Sequence, residues 1–173
     1  MEGCRNHYAA HADYCDETEE DRIDMNVRQP PSMMNYTELG FAKLPAPKKM
    51  FAAILKFWND NNGHGNEQPE MWDEGNTYTN HWEAPTFMLN IDDDRFQGGG
   101  EKLQQLVWDG AKSTLEKWTK QQLQPCSLYG VRKYTEGAVL APHVDRLPLV
   151  TSAIINVAQD LDEPWVSACF LLF

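Results

Sequence analysis

A chain of 173 residues with 42% apolar composition is long enough for one domain with a hydrophobic core and too short for two of ordinary size. Its net charge of −11 argues against nucleic-acid and anionic-membrane partners, which need a basic footprint. No apolar run nears the roughly 18 residues that span a bilayer, and residues 1–7 lack the apolar stretch of a signal peptide, so a cytoplasmic setting with all four cysteines reduced is expected.

Residues 1–35 hold three basic side chains, Arg5, Arg22 and Arg28, against eight acidic ones, among them the run Asp16-Glu17-Thr18-Glu19-Glu20-Asp21. So little apolar surface predicts a flexible acidic tail ending near Pro30-Pro31. Over residues 47–62, Met50, Phe51, Ile54, Leu55 and Trp58 recur at three- and four-residue steps, which predicts an amphipathic helix stopped by Asn61-Asn62-Gly63. Residues 64–85 read as a long polar surface loop held down by Trp72, Tyr78 and Trp82, and residues 86–91 as a short strand. Past Gly98-Gly99-Gly100, the positions Leu103, Val107, Ala111, Leu115 and Trp118 mark one face of a second helix over 101–123, with Glu116 and Lys120 as an i,i+4 pair. Short β-rich runs follow at 126–134, 138–141 and 151–158. Helices first and strands afterwards predict an α+β domain.

The chemistry-bearing candidate is Ala141-Pro142-His143-Val144-Asp145-Arg146. Residues two apart on extended backbone point the same way, so His143 and Asp145 can meet one metal ion. An iron(II) that must also bind a co-substrate and dioxygen keeps three positions open, and takes two histidines and one carboxylate. Spacing alone is weak, because this composition yields roughly 0.4 His-x-Asp pairs by chance. A second pair, His11-Ala12-Asp13, is indeed present. Context separates them: His143 follows a β-rich run and Pro142, which biases the residue before it to extended backbone. The plain alternative is a loop histidine bonded to a neighbouring carboxylate.

The stretch Tyr129-Gly130-Val131-Arg132-Lys133-Tyr134-Thr135-Glu136-Gly137, followed by Leu140-Ala141-Pro142-His143-Val144-Asp145, resembles the prolyl 4-hydroxylase-like branch of the iron(II)/2-oxoglutarate dioxygenases. The resemblance is specific over residues 129–165 and loose upstream. It implies a double-stranded β-helix, or jelly roll, with a helical support layer, and iron(II) at one mouth held by His143 and Asp145. It implies that Tyr134 hydrogen-bonds 2-oxoglutarate, although an ordinary buried strand tyrosine remains an equal reading. Arg146 carries no implied catalytic role. The implied reaction couples decarboxylation of 2-oxoglutarate by dioxygen to hydroxylation of a C–H bond in a protein or peptide, prolyl or otherwise, or in a small molecule.

The family also needs a second histidine and a basic residue on later strands, yet after Asp145 the chain has no His or Lys, and Arg146 is its last basic residue. His7, His11, His64 and His81 all lie upstream, with substitution by His81 a minor alternative. Residues 36–165 therefore read as the front part of a jelly-roll domain that is inactive as written. Residues 166–173, from Val166-Ser167 onward, lose the family's texture and read as intron read-through. Three alternatives stay open. One is a non-catalytic or binding relative of the family, and another is an aspartyl/asparaginyl hydroxylase-like dioxygenase. The third is a zinc module from Cys4, His7, His11 and Cys15, whose steps line one helix face. Asp92-Asp93-Asp94 reads as a solvated loop ahead of a hard-cation site.

Overall fold

The computed structural model describes residues 1–65 and 67–162. In chain order it contains helix α1 (Glu2–His7), a 3₁₀ turn (Ala9–His11), α2 (Ala12–Ser32), α3 (Lys48–Asn61), strand β1 (Gln68–Pro69), β2 (Thr86–Asn90), α4 (Glu101–Thr119) and β3 (Gly130–Tyr134). The strands form one three-stranded sheet in the order β1-β2-β3, with Gln68 opposite Met88 and Pro69 opposite Phe87 in the antiparallel β1–β2 pair. The described residues divide into two compact units: residues 1–33, 68–88 and 132–145 in the first, and residues 34–65, 67, 89–131 and 146–162 in the second.

The second unit holds the apolar core. Met50, Ile54 and Phe57 lie on one face of α3 and meet Leu103 and Val107 of α4, with Leu89 and Ile91 closing the cluster. Pro47 caps the start of α3, where its missing N–H costs nothing. Gly100, at φ 99, turns the chain into α4, and its N–H donates to the Ile91 carbonyl at 2.9 Å. Helix α4 ends on Lys120 in the left-handed region, with the Lys120 N–H bonded to the Glu116 carbonyl. Gly110 lets the helices approach closely, since a Cβ there would lie 3.0 Å from Met50 Cβ. The Glu116 carboxylate pairs with Lys112 at 3.8 Å and accepts from the Leu123 N–H at 2.9 Å, whereas Lys120 was the expected partner. The cause is the helix end: Lys120 has already left helical geometry.

The first unit departs furthest from expectation. Residues read as a flexible acidic tail carry α1, the 3₁₀ turn and α2, and Cys4 and Cys15 form a disulfide with both residues 0% exposed. The expectation of reduced thiols is corrected at this pair, while Cys126 is free and exposed. Net charge misleads here because α2 is held through specific polar and covalent contacts, not through an apolar stripe. Gly75, at φ +74, sits against the α2 main chain so closely that a Cβ would lie 2.7 Å from the Tyr14 carbonyl carbon.

The architecture is α+β, as composition and order predict, and the jelly roll is not seen. Residues 138–141 contribute an isolated antiparallel bridge, Thr79 with Leu140, and residues 151–158 carry no strand. An extended segment becomes a strand only by pairing, and no described segment pairs with 151–158. The 166–173 tail lies outside the described residues. Among the described residues, no helix is long and apolar enough to cross a membrane.

Candidate metal site

The first unit positions the His143 loop. Leu140 bridges to Thr79, and the Ala141 N–H donates to the Tyr78 carbonyl at 2.8 Å, so the chain arrives at Pro142 in register with residues 78–79. The His143 ring stands edge-on to Tyr78, with centroids 5.6 Å apart, and its Nδ1 lies 2.8 Å from the Ala141 carbonyl oxygen. A carbonyl only accepts, so Nδ1 carries a proton, and in the neutral tautomer that this bond selects the lone pair is at Nε2. That nitrogen faces the Asp145 carboxylate, with Nε2 and Oδ1 3.9 Å apart and both side chains partly exposed. Two cis donors at ~2.1 Å from one ion lie ~3.0 Å apart. The observed separation is longer than that by about 0.9 Å, so the two donors are near each other but not set at the spacing of one ion.

A third donor is missing. Among the described residues, no group of three or more His, Cys, Asp or Glu side chains is arranged to hold a metal ion. His143 and Asp145 stand together as two donors without a third among the described residues. His81 does not fill the gap, because Nε2 lies 2.8 Å from the Tyr8 hydroxyl and Nδ1 3.1 Å from the Thr79 hydroxyl. Both ring nitrogens are engaged. The zinc alternative loses two donors at once, since the Cys4 and Cys15 sulfurs are bonded to each other. In Asp92-Asp93-Asp94, Asp93 is taken by Arg95, whose guanidinium and N–H hold its carboxyl down at about 2. That cluster is a charge-paired turn.

Tyr134 lies at the end of β3, and its hydroxyl bonds the Arg132 guanidinium. Arg132 also donates to Glu70 at 2.8 Å and stacks over Trp72 with its guanidinium carbon 5.7 Å from the ring centre. Burial opposes the charge on Arg132, but the Glu70 and Tyr134 bonds outweigh it and raise its pKa. Glu70 is fixed in turn by the Thr86 hydroxyl at 2.5 Å. Sequence reading missed this network, because Glu70 is 62 positions from Arg132 and no local pattern links them.

Compared with protein-family models, curated proteins and solved structures, the chain matches none.

The His81 contact gives the first unit a pH dependence. Burial lowers the His81 pKa, the neighbouring His7 charge adds to this, and the Thr79 bond opposes it weakly. A group with a depressed folded pKa contributes stability that is fully present above its unfolded pKa and is lost as pH falls through the folded value. Acidification below about pH 6.5 is therefore expected to loosen α1 and the Tyr8–His81 bond before it affects α3 and α4. Residue-resolved amide exchange at pH 7.5 and 5.5 checks this, and His81→Asn should flatten the difference.

Proposed function

We propose that the chain belongs to an iron(II)/2-oxoglutarate-dependent dioxygenase domain of the prolyl 4-hydroxylase-like type, with His143 and Asp145 as two of three metal ligands. The observation that carries the reading is the His143 geometry. Its Nδ1–H is held by the Ala141 carbonyl, and Nε2 is turned toward Asp145, as ligating histidines are commonly oriented by a carbonyl on the far nitrogen. Iron and 2-oxoglutarate would supply the oxidative chemistry when bound. The residues present would hold the metal by one edge, orient it through Ala141 and Tyr78, and place Tyr134 as the co-substrate's hydrogen-bond donor. The acceptor C–H bond belongs to a protein, a peptide or a small molecule.

The same residues limit the activity. After Asp145 the chain has no histidine to complete the metal site and no basic residue beyond Arg146 to bind the far carboxylate of 2-oxoglutarate. On this reading these 173 residues by themselves are expected to give no succinate release above background, which a coupled succinate assay checks. The Cys4–Cys15 bond also turns the expected compartment from the cytosol toward an oxidising one, where disulfides persist.

Cobalt(II), a spectroscopic stand-in for iron(II), tests the reading. Titration is expected to shift and broaden the His143 ring signals at weak, roughly millimolar affinity, because two ligands bind far less tightly than three. His143→Ala and Asp145→Ala should each weaken binding at least tenfold. Binding that survives both substitutions would sink the reading.

A further inference from the structure

Beyond Ala141 the His143 loop pairs with no strand among the described residues, and α2 takes its backbone instead. Arg22 and the Asn26 Nδ2, the latter at 3.0 Å, both donate to the Pro142 carbonyl. The Val144 N–H donates to Asn26 Oδ1 at 2.9 Å, and Gln29 donates to the Asp145 carbonyl. Positions 22, 26 and 29 are spaced i, i+4 and i+7, so they share one face of the helix. They span about 10 Å at 1.5 Å per residue, the same rise that three extended steps from 142 to 145 cover. The helix is thus a polar template whose period matches four residues of extended chain. Arg22 is itself fixed by a two-point ion pair with Glu19, at 3.0 and 2.8 Å, and that contact holds the Glu19 carboxyl below its ordinary range.

The geometry points to Asn26 as the positioning residue of the His143–Asp145 loop. Its one amide group grips the main chain on both sides of His143, accepting from residue 144 and donating to residue 142. No other single side chain among the described contacts does both. The loop can therefore present Nε2 and the Asp145 carboxylate on the same side, with Asn26 setting the spacing and touching neither donor. The metal-affinity part of this inference rests on the dioxygenase reading above, while the loop geometry stands on the hydrogen bonds alone.

The test uses the full chain with its disulfide intact, and compares wild type with Asn26→Ala, Asn26→Asp and Arg28→Ala. Arg28 is the helix control, since it lies on α2 and pairs with Asp24. Three readings are taken: Val144 amide exchange, the His143 ring-nitrogen chemical shifts that report which nitrogen is protonated, and cobalt(II) affinity. In Asn26→Ala, Val144 exchange is expected to rise at least tenfold, the Nδ1–H form to give way to a mixture, and cobalt(II) affinity to fall about tenfold. Asn26→Asp keeps the acceptor for Val144 but loses the donor to Pro142, so Val144 stays protected while affinity falls. Arg28→Ala should match wild type in all three readings. Unchanged Val144 exchange and an unchanged His143 proton position in Asn26→Ala overturn the proposal. If that variant does not fold, Asn26→Asp decides: cobalt(II) affinity equal to wild type overturns it. Absence of cobalt(II) binding in wild type overturns the dioxygenase reading instead, and the exchange and proton readings then decide the role of Asn26.

Discussion

Replacing Cys4 and Cys15 together by serine is expected to destabilise the first unit by about 3 kcal/mol. The two cysteines are 11 positions apart, and a closed loop of that length restricts the unfolded chain by about this amount. Helix α1 has only six residues, far below the length at which an isolated helix is stable, so the crosslink, the turn at 8–11 and the half-exposed Arg5–Asp16 ion pair hold it against α2, and an exposed pair contributes little. Serine also places two hydroxyls where the sulfurs are fully buried, which adds an unpaired polar cost. Denaturant unfolding of wild type with and without reductant, beside the double variant, measures the effect. Reduced wild type should unfold at a lower midpoint than the oxidised form and the double variant lower still, with the early loss of amide protection confined to α1 and α2. A midpoint indifferent to reductant would mean that the crosslink does not form in solution.

That crosslink lies where sequence reading was weakest. Helices α3 and α4 and strand β2 are legible because their apolar residues repeat with the period of the element: Met50 and Ile54 along one helix face, where Phe57 and not the expected Trp58 is fully buried, and Leu103 and Val107 along another. Helix α2 offers no such stripe. Its docking is written in Arg22, Asn26 and Gln29, polar residues in a strongly acidic stretch, and averaging charge over 1–35 hides them. The reversal between α1 and α2 runs through Tyr8, Ala9, Ala10 and His11 without a Gly or Pro to mark it. Without that turn, nothing in the sequence brings Cys4 to Cys15. A readable signal did exist: three uncharged or basic polar residues at i, i+4 and i+7 within an acidic helix call for an acceptor and donor set elsewhere in the chain.

The candidate site divides the same way. Pro142, His143 and Asp145 are adjacent in sequence, so the arm they form could be found from the text, and the structure turns Nε2 toward the carboxylate. The supports are harder to find, because Tyr78 and Ala141 act through main-chain acceptors that any residue type supplies, and the Asn26 side chain reaches a carbonyl 116 positions away. The strand runs expected at 138–141 and 151–158 have suitable residues, but strand formation depends on a partner, and composition does not supply one.

Phe57→Ala is expected to cost the second unit about 3–5 kcal/mol, the range for truncating a fully buried aromatic. Phe57 is 2% exposed and meets Phe96 edge-on, with ring centres 6.0 Å apart and planes at 88°. A Cβ at Gly99 would run into the Asp93 carbonyl oxygen, with Phe57 Cε2 farther off at 3.3 Å, so the main chain of the turn requires glycine and the ring packs beside it. Collapse into the space is restricted, because Asn61 clamps the same turn. Its Nδ2 donates to the Phe57 and Gln97 carbonyls at 2.7 and 3.0 Å, and its Oδ1 accepts from the Gln97 N–H at 2.9 Å. Asn61→Ala should cost about 1–3 kcal/mol, by leaving buried groups of Gln97 unpaired. The two side chains hold one turn against one helix, so their losses should not add: once Phe57 is gone and the turn has shifted, removing Asn61 should cost at least 0.5 kcal/mol less. A double-mutant cycle by chemical denaturation measures that coupling. Strict additivity would mean that the 96–99 turn is held by each contact independently, so that the apolar and polar halves of this junction do not act as one structure.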